Sequence, residues 1–290
     1  MVKFYDTIPD HIFPWIQQQK IFFVSTAPLS QTGHVNVSPK GFSGTFHAQD
    51  EKTVWYEDLT GSGTETISHL RENGRITIMF VAFTGPPQIL RLFGTGTVHE
   101  FGSPEYNRLL PPGTRQPGSR AAIFINVHKV STSCGYSIPF YEFKKDRMRL
   151  HNYMASLEAK DLKAEEESKS PSCSADGVNA SDGQVSERPK GLKWYWTQKN
   201  LMSIDGLPSL LEAFDAERGF DRSTAGKNWG ADDERAGSEI QGPANVDGNG
   251  LFGGKVDVKL VVGFVAGVVC ANAINLGRVW DTARRLGNFE

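Results

Sequence analysis

The chain is poor in cysteine: three in 290 residues, Cys134, Cys173 and Cys270, odd in number and scattered. That excludes a disulfide framework and suits a reducing compartment, the cytoplasm. Net charge is also scarce, formally -2 at pH 7, so no electrostatic case arises for nucleic acid. The opening stretch MVKFYDTIPDHIF carries acids and a proline without a continuous apolar core, so it does not read as a signal peptide. The seven histidines include no pair at the i, i+4 spacing of a helical metalloprotease, and the cysteines are unpaired; zinc hydrolysis is set aside. A serine nucleophile finds no elbow motif. Long apolar runs are few. Leu260 to Ala271 is the uninterrupted one near the end, and it falls short of the ~20 residues that cross a bilayer.

What is present is strand-like text, concentrated in the first 150 residues. Its organising unit is 52–80, KTVWYEDLTGSGTETISHLRENGRITIMF. Val54, Trp55 and Tyr56 suit a strand. Thr60, Gly61, Ser62, Gly63, Thr64, Glu65 and Thr66 crowd hydroxyls and glycines into a turn. Ile67 and Leu70 give a helix its apolar face, Asn73-Gly74 ends it, and Ile76, Ile78 and Phe80 resume a strand of period two. A glycine-rich turn at a helix start can seat an anion on backbone N–H groups. The same text also fits an ordinary turn capped by Ser62 or Thr64.

Around this unit the pattern predicts further strands. Lys20 to Ala27 is one, and HVNVSPKG is a second, with Val35 and Val37 on one side and Asn36 and Ser38 on the other. Lys40 follows at the margin, either as a phosphate contact or as a solvated turn residue. QILRLFGTGTVHEF is long, and Gly94 and Gly96 within it mark a bulge or barrel corner. Its Arg91 faces solvent or an anion. Ala121 to Thr132 is the next strand, with short helices at Pro9–Gln19 and Pro104–Leu110. Five or six strands so spaced predict one closed antiparallel barrel. Beyond it a helix is expected over Glu142–Glu166. The domain plan is a barrel at 1–157, a disordered insert at 158–190, a docking segment at 191–218, a flexible linker at 219–255 and an apolar C-terminal helix at 256–290. That last helix, through residues 256–276, is either a buried or interfacial helix or a membrane anchor.

VNVSPKG, DLTGSGTETISHLRENGRITIMF and FGTGTV together resemble the flavin-binding split barrel of the pyridoxamine 5'-phosphate oxidase-like family. GSGxET, SCGYxxPxYE and SIDGLP resemble one of its branches. The resemblance covers residues 1–150 and 191–212. It implies a mainly β fold with flanking helices, a six-stranded split β-barrel, usually a homodimer, with FMN in a cleft at the subunit interface. It also implies phosphate contacts from the second strand and the turn: Ser38, Lys40, Thr60, Gly61, Ser62, Thr64 and Thr66, with Arg91 offered as a substitute charge. The sequence departs from the oxidases where Val35 and Glu65-Thr66 stand in place of expected cations, and each lost charge-assisted hydrogen bond is worth about 1.5–3 kcal/mol.

Two functions follow. One is an FMN-dependent oxidoreductase acting on a small-molecule substrate, with Tyr136, His69 and Cys134 as candidate reactive groups. The other is a non-catalytic flavin- or haem-binding module, or a dimerisation scaffold.

Overall fold

A strand needs one face to bury, and alternation supplies it here. In β2 (Ile21–Thr26) Phe22, Val24 and Thr26 are buried, and in β6 (Arg75–Val81) Ile76, Ile78 and Phe80 are buried. The computed structural model describes residues 2–169 and 190–231, which belong to one unit, Met1–Asp232. The expected C-terminal helix at 256–290 and most of the insert and linker lie outside the described residues. Among the described residues no helix is long and apolar enough to cross a membrane.

Among the described residues the sheet has eight strands rather than the six expected. The additions are β1 (Lys3–Tyr5), which pairs with β8 (Ser119–Ser133), and β4 (Phe46–Ala48), which pairs with β5 (Thr53–Leu59). Each is too short to show a period in the sequence. With β3 (Asn36–Gly41) and β7 (Ile89–Glu100), the path runs β3-β2-β6-β7-β8-β5-β4. All pairings are antiparallel.

The sheet is curled rather than closed as expected, since among the described residues its end strands β3 and β4 are not paired with each other. The curl follows from chain connectivity. β3 and β4 occupy opposite ends of this path, yet only residues 42–45 separate them, so the sheet must curl until its ends approach. Phe42 (φ 78°) and Gly44 (φ 85°) make that tight turn, and the Thr45 hydroxyl donates to the carbonyls of Gly41 (3.1 Å) and Phe42 (2.8 Å). Phe42 is the one non-glycine residue with positive φ among the described residues, a conformation costing on the order of 1–3 kcal/mol. Its ring stacks on His151 at 4.6 Å. Inside the curl, Phe22 meets Phe46 (5.0 Å), Tyr56 (5.3 Å) and Phe80 (5.8 Å). The long β7 bends at a register shift between Phe93 and Gly94, where a Cβ on Gly94 would lie 2.6 Å from the Asn126 carbonyl.

Among the described residues five α-helices flank the sheet: α1 (Phe13–Gln18), α2 (Glu65–Asn73), α3 (Pro104–Leu109), α4 (Arg149–Lys169) and α5 (Leu192–Lys199). α4 starts later than the Glu142 expected, because Lys144 to Arg147 offer no apolar side chain to bury; its buried face begins at His151 and Met154. It also continues past residue 157, since Glu158 and Asp161 are buried with partners. Glu158 accepts two hydrogen bonds from Arg115 (2.8 and 3.0 Å), and Asp161 accepts the N–H groups of Leu192 and Lys193. Residues 219–231 are packed rather than loose: Phe220 stacks on Phe101 at 5.0 Å and Asp221 lies 3.0 Å from Arg115.

The stretch 200–213 is fixed from below by Glu100, which is buried. Its carboxylate accepts the N–H groups of Leu211 (2.8 Å), Glu212 (2.9 Å) and Ala213 (2.7 Å) and pairs with Arg71. Glu100→Ala leaves three amides and the Arg71 Nη2 without their acceptor, so we expect a loss of about 3–5 kcal/mol in urea unfolding, with new proteolysis between residues 200 and 213.

Candidate functional site

The site is built where the ends of the curled sheet meet. β3 alternates, so Asn36, Ser38 and Lys40 face inward while Val35 and Val37 are exposed. Lys40 Nζ reaches across the gap to Asp58 on β5 at 2.6 Å. Asp58 is fully buried and its other oxygen accepts from Arg120 Nε at 2.8 Å. Burial alone would raise the Asp58 pKa; the charges of Lys40 and Arg120, with their hydrogen bonds, overcome that and hold it at about 2. Lys40, Arg120 and Asp58 together carry one net positive charge.

Arg120 also fixes the glycine-rich turn, donating to the carbonyls of Gly61 (3.4 Å) and Gly63 (2.9 Å). Asn200 donates to Gly61 O at 2.9 Å. The turn's carbonyls are therefore engaged from within. Its hydroxyls are engaged too. Thr60 donates to Gly118 O (2.5 Å) and accepts from the Trp196 indole (2.8 Å). Thr64 occupies the N-cap position of α2 but pairs with Ser209 instead of capping. Thr66 accepts from Asn36 (3.0 Å), and Ser38 donates to the same Asn36 (2.8 Å). Ser62 is exposed. Glu65 folds back over the turn, where a Cβ on Gly63 would stand 2.8 Å from its carboxylate.

Beside this turn lies a groove of about 740 Å³. Lys40, Thr60 and Gly61 line one side, Phe42, Phe83, Tyr141 and Phe143 supply aromatic walls, and Lys20, Lys145 and Arg147 bring cations. The expected contacts Ser38, Ser62, Thr64 and Thr66 are not among its lining residues. Arg91 does not join the site. It pairs with Met79 and Ser131, and Met79 pairs with Phe23, whereas Lys40 pairs with Phe22. Side chains alternate along β2, so Arg91 projects from the opposite face of the sheet and replaces no charge near Lys40.

The candidate reactive groups also lie elsewhere. His69 is buried, its Nδ1 paired with the Thr26 hydroxyl at 2.9 Å, and burial lowers its pKa. Tyr136 is exposed, and Cys134 borders a separate hollow with Lys3 and His11. Sequence reasoning missed Glu57, Asp58 and Arg120. The available signal was two adjacent acids inside the apolar strand VWYEDL and an arginine opening AAIFINV.

Glu57 lines the groove and is 4% exposed. Its Oε1 accepts the Gln116 N–H at 2.7 Å. Burial raises its pKa to about 7, against the lowering effects of Gln116, Ser119 and Arg115 and with a further push from Glu158. In the unfolded chain a glutamate titrates near 4.3. Between about pH 4.5 and 7 the folded protein therefore binds more protons, and stability falls as pH rises through that window. Urea unfolding across that range should show this decline in the wild type and a flatter profile in Glu57→Gln.

Comparison with known proteins agrees with this architecture. Residues 8–134 match the family model described as pyridoxamine 5'-phosphate oxidase. Over 149 residues the chain is 43% identical to the pyridoxamine 5'-phosphate oxidase family protein ustO of Aspergillus flavus, covering 50% of this chain and 59% of that relative. It thus spans less than two thirds of the relative's length. Among solved structures, HupZ of Group A Streptococcus is 23% identical over 42% of this chain and 91% of its own, with a TM-score of 0.33. An F420 reductase is 11% identical over 42% of this chain and 98% of its own, with a TM-score of 0.31. Similarity at that level adds nothing to the fold already described. The likeness to the pyridoxamine 5'-phosphate oxidase family is thus carried by the barrel, residues 8–134.

Proposed function

We propose that the protein is an FMN-dependent oxidoreductase acting on a small organic molecule, with the flavin seated in the groove beside Lys40. The observation that carries this reading is the groove itself. Its volume suits a cofactor-sized ligand, it has aromatic walls for a planar ring, and a lysine stands at one end for an anionic tail. The donor set fits such a tail, because Lys40, Arg120 and Asp58 leave one positive charge beside the exposed turn. A bound flavin would supply the redox chemistry. The chain's part is to hold the ring between Phe42, Phe83, Tyr141 and Phe143 and to anchor the phosphate at Lys40.

Exposed Val37, on the outer face of edge strand β3, and Val35 just before it support a homodimer across that edge. A second reading, a non-catalytic flavin- or haem-binding module or a dimerisation scaffold, is favoured by one observation. The hydroxyls of Thr60, Thr64 and Thr66 are already hydrogen-bonded within the chain.

Fluorescence titration with FMN separates the contributions. Lys40→Met should weaken binding by about tenfold or more, and Lys40→Arg, which keeps the charge against Asp58, should retain most of it. Thr64→Val should leave FMN affinity unchanged, because its hydroxyl serves Ser209. Absence of FMN binding by the wild type sinks the oxidoreductase reading; binding without substrate-driven bleaching under anaerobic conditions selects the carrier.

A further inference from the structure

Glu57 is the one acid of the groove that is both buried and without a basic side chain in direct hydrogen-bonded contact. Arg115, whose charge acts on Glu57, commits two nitrogens to Glu158 and lies 3.0 Å from Asp221 through a third. What Glu57 does have is a set of neutral donors. The Gln116 amide N–H reaches Oε1 at 2.7 Å, and the Ser119 hydroxyl, itself accepting from Tyr106 OH at 2.7 Å, donates to the carboxyl. Such a cradle can hold the carboxyl with its proton or without it. The Lys40 ammonium pairs with Asp58 at 2.6 Å, not with Glu57.

We propose that Glu57 is the proton-exchanging group of this groove, giving a proton to, or taking one from, a planar ligand with a hydrogen-bond acceptor at its edge and an anionic tail at Lys40. The proposal rests on the groove being the ligand seat. In the donating direction the carboxyl O–H bond breaks and the proton moves to the ligand's acceptor atom. The carboxylate left behind is held by the Gln116 N–H, the Ser119 hydroxyl and the field of Arg115, with Glu158 opposing. Exchange with solvent through the groove mouth restores the proton.

Dicyclohexylcarbodiimide tests this on the full chain, because it adds only to a protonated carboxyl, whose proton passes to the reagent's nitrogen as the oxygen bonds its carbon. Peptide mass mapping after treatment at neutral pH should find Glu57 as the principal labelled acid, with labelling reduced about tenfold at pH 8.5. Glu57→Gln should lose that adduct and keep its fold by circular dichroism. Prior addition of FMN should slow labelling. No adduct at Glu57 in the folded chain, or a labelling rate indifferent to pH, overturns the proposal. Labelling with the expected pH profile but no protection by FMN supports Glu57 as the exchanging group and removes the flavin from this groove.

Discussion

The structure depends on one buried carboxylate. Asp58 joins Lys40 on β3 to Arg120 on β8, and through Arg120 it also ties down the carbonyls of Gly61 and Gly63. β3 is one end of the sheet path, β5 and β8 are neighbouring interior strands towards its other end, and the glycines belong to the turn between β5 and α2. A charge buried with one partner costs more than the pairing returns, but two cations and two good hydrogen bonds reverse that balance. The low pKa of Asp58, about 2, is the measure of that reversal. Its stabilisation is present above the ordinary aspartate value of 3.8 and is lost only as pH falls through about 2.

The second constraint comes from far along the chain. Trp196, Asn200 and Ser209 reach back to Thr60, Gly61 and Thr64, so the turn that opens α2 is held from both sides. Glu100 fixes the end of the same segment. The consequence for function is a division of labour: most of the turn's hydroxyls serve the fold, and Lys40, Thr60 and Gly61 face the groove. A hydroxyl-rich turn is therefore poor evidence of a ligand contact until its internal partners are known.

Much of the barrel was legible in the sequence. The alternation of Val35 and Val37 against Asn36 and Ser38 gave β3 its two faces, Asn73-Gly74 marked the end of α2, and Gly94 fell at the register shift of β7. The rest depended on facts no local pattern holds. Period two says which residues share a face within a strand, but Arg91 could be placed relative to Lys40 only once the registers of β2, β6 and β7 were known. β1 and β4 are too short for periodicity to reveal. The pairing of Thr64 with Ser209 spans 145 residues, and the acids Glu57 and Asp58 acquired opposite pKa shifts from neighbours brought together by folding.

The central claim is that the groove beside Lys40 holds a flavin. The direct measurement is the absorbance spectrum of the ligand released when the purified full chain is denatured. The account predicts free FMN at close to one per subunit, or uptake to that level from added FMN. A colourless supernatant, together with no uptake of added FMN, would contradict it.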